Sequence, residues 1–304
     1  MIVDCGKVGA AGKDDMSPSE VASYYAAISN DGDPAPIVIA THPDSDHYIH
    51  LNEMLGDRKP HSVWLGGVKS DAAAFDEPKK YGTDNFYALV GKWAKAGVPI
   101  NENLPRNFHN DGKVVSELKC GAMKSYILTV NTGADDNDQS LMLLVEYGNF
   151  RALFGGDAYG ASQRAAAQHL KDKIHRVNLL TASHHGSERH DSNDKAWAEA
   201  TRPGIVIYSS GKHYGHPHCA AVGSFLSTNS LYFAKEHTVS CGNDERTIQS
   251  KRAEYVTDDN GFVVVATDGR GRIGVTCERG GDCGLDSRQI RAPLDLEFEA
   301  LVKD

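Results

Sequence analysis

Thr41-His42-Pro43-Asp44-Ser45-Asp46-His47 crowds two imidazoles and two carboxylates into the six residues 42–47. The apolar run Ile37-Val38-Ile39-Ala40 comes just before it, and Tyr48 to Leu55 just after it reads as a helix. The group therefore sits where a buried strand hands over to a helix, and α/β proteins place ligands at the carboxyl ends of strands. Carboxylates packed this closely repel, and burying them costs several kcal/mol each unless a cation compensates. Imidazole nitrogen and carboxylate oxygen are both ligands for divalent metals. The competing reading is a solvated polar turn, since Pro, Asp and Ser are ordinary turn residues.

The same figure recurs along the chain. Phe150 to Phe154 ends in Gly155-Gly156-Asp157, and Val177 to Thr181 runs into Ala182-Ser183-His184-His185-Gly186-Ser187. Ile205 to Ser209 runs into a segment carrying His213 and His216, and a helix is expected after each of the three. Each group alone has a plain explanation: Asp157 as a helix cap, His184 and His185 as loop histidines, His216 as a polar turn before Pro217. Those explanations do not account for the groups falling at the same place in successive strand-to-helix units. If the four strands lie side by side, their ends converge on a shared metal centre.

The remaining segments supply the scaffold. Ser17-Pro18-Ser19-Glu20 opens a helix over 17–29, with Pro in the first turn. Residues 84–97 form a helix with Phe86, Leu89, Val90 and Trp93 on one face. Ser140 to Tyr147 and Phe150 to Phe154, joined by Gly148-Asn149, carry a hairpin signal, and Gly261 to Cys277 closes the pattern with another. Ile2-Val3-Asp4 starts inside a strand, so further strands are expected upstream.

At 304 residues the chain can bury a full core. A net charge of −9 argues against a broad electrostatic surface for nucleic acid, although a bound divalent ion would reverse the sign locally. No apolar run approaches the ~20 residues that span a bilayer, and no signal peptide is visible, so a cytoplasmic, non-membrane protein is expected. The six cysteines form no Cys-x-x-Cys pair and are expected as free thiols; Cys277 and Cys283, flanking a Gly-rich turn, would pair in an exported protein.

His42-Pro43-Asp44-Ser45-Asp46-His47 resembles the His-x-His-x-Asp-His signature of the metallo-β-lactamase fold. Asp4-Cys5-Gly6, Gly156-Asp157 and Ser183-His184-His185-Gly186-Ser187 resemble its amino-terminal turn, bridging aspartate and late histidine motifs. The His-Pro-Asp-x-Asp-His form, Asn137-Asp138-Gln139-Ser140, Gly-Asp-Ala, His-His-Gly-Ser and Tyr-Gly-His-Pro are similar to the soluble hydrolase domain of ComEC-type competence proteins. The likeness runs from residue 2 to about 226. It implies an α/β fold, a four-layer αβ/βα sandwich, with metals at one edge between two sheets. It also implies a hydrolase domain over 1–230; beyond the likeness, residues 231–304 are expected as a strand-rich extension packed on the same domain.

Carried over by position, the metal ligands would be His42, with Asp44 beside it, at a first site and Asp46, His47 and His184 at a second, with Asp157 bridging and Asp4 orienting a ligand from behind. Asp46, His216 and His213 are the candidate catalytic residues. Asp44 stands where the broader fold has histidine, and the middle histidine of the first site has no counterpart, a polar residue near Asn137–Ser140 taking its place. Oxygen in place of nitrogen favours Mn²⁺ over Zn²⁺ there. The expected activity is hydrolysis by a metal-activated water, of a small-molecule or nucleic-acid phosphodiester, with one or two divalent ions. The alternatives are a lactone, thioester or β-lactam hydrolase at the same centre, or a non-catalytic binding module with a degraded site. A Ser-His-Asp hydrolase is disfavoured, because no Gly-x-Ser-x-Gly elbow is present.

Overall fold

The computed structural model describes residues 1–6, 18–29, 32–67, 84–102, 104, 109, 113–132, 137–170, 176–211, 214–244, 246–279 and 283–286. His213 and Ser17 lie outside these residues, as does the end of the extension from 287 onward. The architecture is mixed α/β, with several sheets and helices.

One sheet is parallel, in the order β1 (Ile2–Val3), β2 (Ile37–Ala40), β3 (Ser62–Leu65), β4 (Ile100–Asn101). All four residues of β2 are buried, as a parallel strand covered on both faces demands of its side chains. The second sheet has six strands, in the order β12 (Glu254–Val256), β9 (Ile205–Tyr208), β8 (Leu179–Thr181), β7 (Phe150–Phe154), β6 (Met142–Tyr147), β5 (Lys124–Thr129). Its β5–β6–β7 half is antiparallel and includes the expected hairpin, whereas β7, β8, β9 and β12 run parallel. Two antiparallel pairs complete the sheets: β10 (Phe233–Cys241) with β11 (Arg246–Arg252), and β13 (Val263–Thr267) with β14 (Ile273–Cys277).

Strand alternation sorts the core. Ile37, Ile39 and Trp64 of the first sheet share one cluster with Ile127, Leu143 and Val145 of the second, so the two sheets meet there. Val38, Ala40, Val63 and Leu65 point the other way, beneath Leu51 and Leu55 of α3 (Leu51–Leu55) and Phe86, Val90 and Trp93 of α4 (Asp84–Lys95). Behind the second sheet, Leu144, Leu153, Leu180 and Val206 pack with Ala166 of α5 (Gly160–Leu170), Trp197 of α6 (Lys195–Thr201) and Phe225 of α7 (Cys219–Leu226).

Two expectations need correction. The strands β7, β8 and β9 are neighbours, but β2 belongs to the other sheet, so the four strand ends are not side by side in one sheet. The cysteines are not all free: Cys219 pairs with Cys241 and Cys277 with Cys283, leaving Cys5 and Cys120 as thiols among the described residues. The first pair joins the start of α7 to the end of β10, across 22 residues, and no local spacing announces such a contact. Among the described residues no helix is long and apolar enough to cross a membrane.

Candidate metal centre

The site forms where the end of β2 meets the ends of β7, β8 and β9. Asp4 follows β1 and anchors the first loop. Its Oδ1 accepts from the Thr41 backbone N–H at 2.7 Å, and its Oδ2 from the Thr41 hydroxyl at 2.8 Å. The same Oδ2 stands 2.9 Å from His47 Nδ1. A carboxylate can only accept, so His47 carries its proton on Nδ1 and turns Nε2 toward the site. His185 is oriented in the same way by a different partner: its Nδ1 lies 2.6 Å from the Ser209 carbonyl at the end of β9, which leaves Nε2 facing inward.

Asp157 lies between these rings, buried. Its Oδ1 faces His47 Nε2 at 3.2 Å and His185 Nε2 at 3.7 Å. Its Oδ2 faces His42 Nε2 at 3.8 Å and His184 Nε2 at 3.9 Å, and it accepts from Asn137 Nδ2 at 3.4 Å. Asp46 Oδ2 adds contacts of 2.9 Å to His185 and 3.6 Å to His47, and Asp44 Oδ2 lies 3.5 Å from His42 Nε2. The carboxylate thus has two faces, each presented to a pair of imidazoles. A close approach of two loops allows it: at Gly156 (φ +52°) a Cβ would come within 2.7 Å of the Thr41 side chain.

Asp46, His47, Asp157 and His185 offer ligand atoms within 4.8 Å of one another, a grouping able to hold a divalent metal ion. The donor set also demands positive charge. His42 Nε2, His47 Nε2 and Asp157 Oδ1 are buried without a hydrogen-bond partner, although the last two are only 3.2 Å apart. Such orphaned atoms are costly unless a cation joins them.

The proton affinities respond in the same sense. Burial opposes charge on His47, yet the Asp157 and Asp4 carboxylates push its pKa well above the ordinary 6.5. Burial opposes charge on His185 too, and Asp157 and Asp46 lift it to about 9. Asp157 is held well below the usual carboxylate range against its burial, by the imidazoles of His185 and His47. Asp46 is lowered against its burial by the His185 hydrogen bond and by His47.

His184 differs from its neighbour. Burial depresses its pKa, with Asp157 opposing, and its Nδ1 is buried without a partner. His216 stands further out, its ring centroid 5.7 Å from that of His184 and 6.1 Å from that of His185. Burial first, then the neighbouring His185 and His184, push His216 down to about 3, so its ring is neutral at ordinary pH.

Among the sequence-derived candidates, the structure brings His42, His47 and His184 around the Asp157 carboxylate, sets Asp44 against His42 and Asp46 against His47, and places His216 beside His184. His185, which sequence reasoning left out of the ligand set, makes the closest imidazole–carboxylate contact with Asp46. No signal in the sequence could have found it, because the group that aims the ring is the backbone carbonyl of Ser209 at the end of the neighbouring strand, which any residue there would supply.

No model of a known protein family matches the sequence, and no curated protein sequence does. Among solved structures, a mutant of the CmlA β-hydroxylase is similar over 57% of this chain at 14% identity, with a TM-score of 0.37. The chain spans 36% of that protein's length.

Proposed function

We propose that this protein is a metal-dependent hydrolase of the metallo-β-lactamase type, acting on phosphodiesters. In this reading the two sheets and their helices make the αβ/βα sandwich of that fold, with residues 1–230 as the hydrolase body and 231–304 as an extension packed on it. The observation that carries the reading is the two-faced Asp157, with His47 and His185 toward Oδ1 and His42 and His184 toward Oδ2. It suits two divalent ions sharing one bridging carboxylate. Asp46, His47 and His185 would hold one ion; His42, Asp44 and His184 would hold the other, with His184 standing in for the histidine missing from the first motif. The oxygen-rich second set suits Mn²⁺ as well as Zn²⁺.

Ions held here would supply a water of pKa ~7 rather than 15.7. The chain's own residues do the rest. Asp4 and the Ser209 carbonyl keep the Nδ1 protons of His47 and His185 in place, so that both Nε2 atoms face the site, where an ion would displace the protons that the raised pKa values put on them. Neutral His216, at the rim beside His184, donates a hydrogen bond to a substrate oxygen instead of acting as a strong acid. His213, three positions before His216 in the sequence, is proposed as a second candidate.

The test is hydrolysis by chelator-stripped protein reconstituted with Zn²⁺ and Mn²⁺ in parallel, on linear DNA, RNA, bis-nitrophenyl phosphate and a panel of chromogenic esters, lactones and β-lactams. Metal-restored cleavage of the phosphodiesters, abolished in Asp157→Ala, is the expected result. Turnover confined to the esters or β-lactams would move the assignment to the carboxyl-ester alternative. Bound metal with no turnover on any substrate would leave a binding module.

A further inference from the structure

Two buried side chains outside the ligand set connect the loop that carries Asp157 to the loop that carries His184 and His185. Asn193 is fully buried, and its Nδ2 donates to both the Ser183 and the Ser187 carbonyls at 2.8 Å. These two carbonyls bracket the histidine pair. The Asn193 backbone N–H in turn donates to Gln163 Oε1 at 3.0 Å. Gln163, 1% exposed on α5, donates from Nε2 to the Ala158 carbonyl at 3.3 Å, one residue beyond Asp157.

We propose that Asn193 and Gln163 are positioning residues of the metal centre, a latch that sets the distance between Asp157 and the His184–His185 pair. The inference rests on the metal-dependent reading above. The loop they hold needs holding, because His184 and His185 both adopt left-handed backbone, with φ of 48° and 56°. Such conformations cost of order 1 kcal/mol or more per non-glycine residue, and persist only where the surroundings over-determine them. A primary amide gives two protons from one nitrogen, which a hydroxyl cannot do, and a carboxylate in its place would confront two carbonyl oxygens. Neither residue makes a hydrogen bond or ion pair to a ligand side chain, so the latch acts through the backbone: Asn193 shapes the histidine loop, and Gln163 ties it to the turn after Asp157. Outer partners of metal ligands typically govern ~10–100-fold of metal affinity.

The experiment uses the full chain as wild type, Asn193→Ala and Gln163→Ala, each stripped with chelator. Three quantities are read: the metal-free melting temperature, the affinity for Zn²⁺ and Mn²⁺ by calorimetry, and the visible spectrum with Co²⁺ bound. The expected result is a metal-free fold that still melts cooperatively, affinity lowered about tenfold or more in Asn193→Ala and by less in Gln163→Ala, and a shifted cobalt spectrum in both. A purely structural role would lower the metal-free melting temperature and leave affinity and spectrum as in wild type; that outcome overturns the proposal. If Asn193→Ala does not fold, Gln163→Ala decides alone, since it spares both bonds to the histidine loop: unchanged affinity and spectrum there also overturn it. Wild-type protein that takes up none of the ions overturns the metal reading and this inference together, whereas wild-type uptake equalled by both variants overturns this inference only.

Discussion

Glu254, at the start of β12, is fully buried, with Oε1 accepting from the Tyr208 hydroxyl at 2.8 Å and Oε2 without a partner. Burial pushes its carboxyl up to about 8 from the usual 4.5, with the Tyr208 hydrogen bond pulling the other way. The folded protein therefore keeps this proton through neutral pH, whereas the unfolded chain releases it near 4.5. Where the folded state binds more protons, stability falls as pH rises, by about 1.36 kcal/mol per unit. The stabilising effect of the protonated form is complete below pH ~4.5 and lost progressively up to pH ~8. At pH 7 roughly two and a half units have been crossed, a loss of about 3 kcal/mol, and above pH 8 the loss levels off near ~5 kcal/mol. Glu254→Gln keeps the acceptor for Tyr208 and removes the ionisation. Its unpaired amide donor adds a cost of about 1–3 kcal/mol that does not depend on pH, so it offsets the curve without changing its slope. Urea denaturation followed by tryptophan fluorescence from pH 5 to 9 measures the difference between variant and wild type, and titration of the histidine cluster cancels in that difference. The variant should gain on wild type by about 4 kcal/mol between pH 5 and 8. A difference that is flat over that range, or that slopes the opposite way, would refute a neutral buried carboxyl.

Other expectations follow from contacts already described. Asp4→Ala removes the group that fixes the His47 tautomer, and should weaken metal binding ~10–100-fold by calorimetry while the chain still folds. Gly186 has φ +85°, and a Cβ there would lie 2.6 Å from Tyr208 Cδ1 and Pro217 Cβ; Gly186→Ala should therefore cost about 1–3 kcal/mol in thermal or urea unfolding. The Cys219–Cys241 bond closes a span of 22 residues and Cys277–Cys283 one of 6, so loop entropy assigns them about 3 and about 2 kcal/mol. Paired serine variants, denatured with and without reductant, check both values; equal stability in all forms would contradict the pairing.

Much of the local architecture is legible in the residue order. The run Ile37 to Ala40 announces a covered strand because each of its side chains is apolar, and β2 has all four buried. The hairpin of β6 and β7 follows from two apolar runs around Gly148-Asn149. The crowding of His42, Asp44, Asp46 and His47 marks a candidate cation site, because carboxylates so close need compensation once a fold buries them.

Only the folded chain decides which groups could share a cation. Asp46 and His185 are 139 positions apart, and their 2.9 Å contact exists because β2 and β8 end at the same place in different sheets. Which member of the His184–His185 pair faces Asp46 depends on two left-handed residues, and on a carbonyl from β9 that aims one ring. The Cys219–Cys241 bond and the Asn193–Gln163 latch are likewise contacts between elements. Residue order encodes periodicity, charge and turn chemistry because these act over a few positions. Ligand pairing depends on where distant backbones come to rest, and that is set by the packing of two sheets against one core.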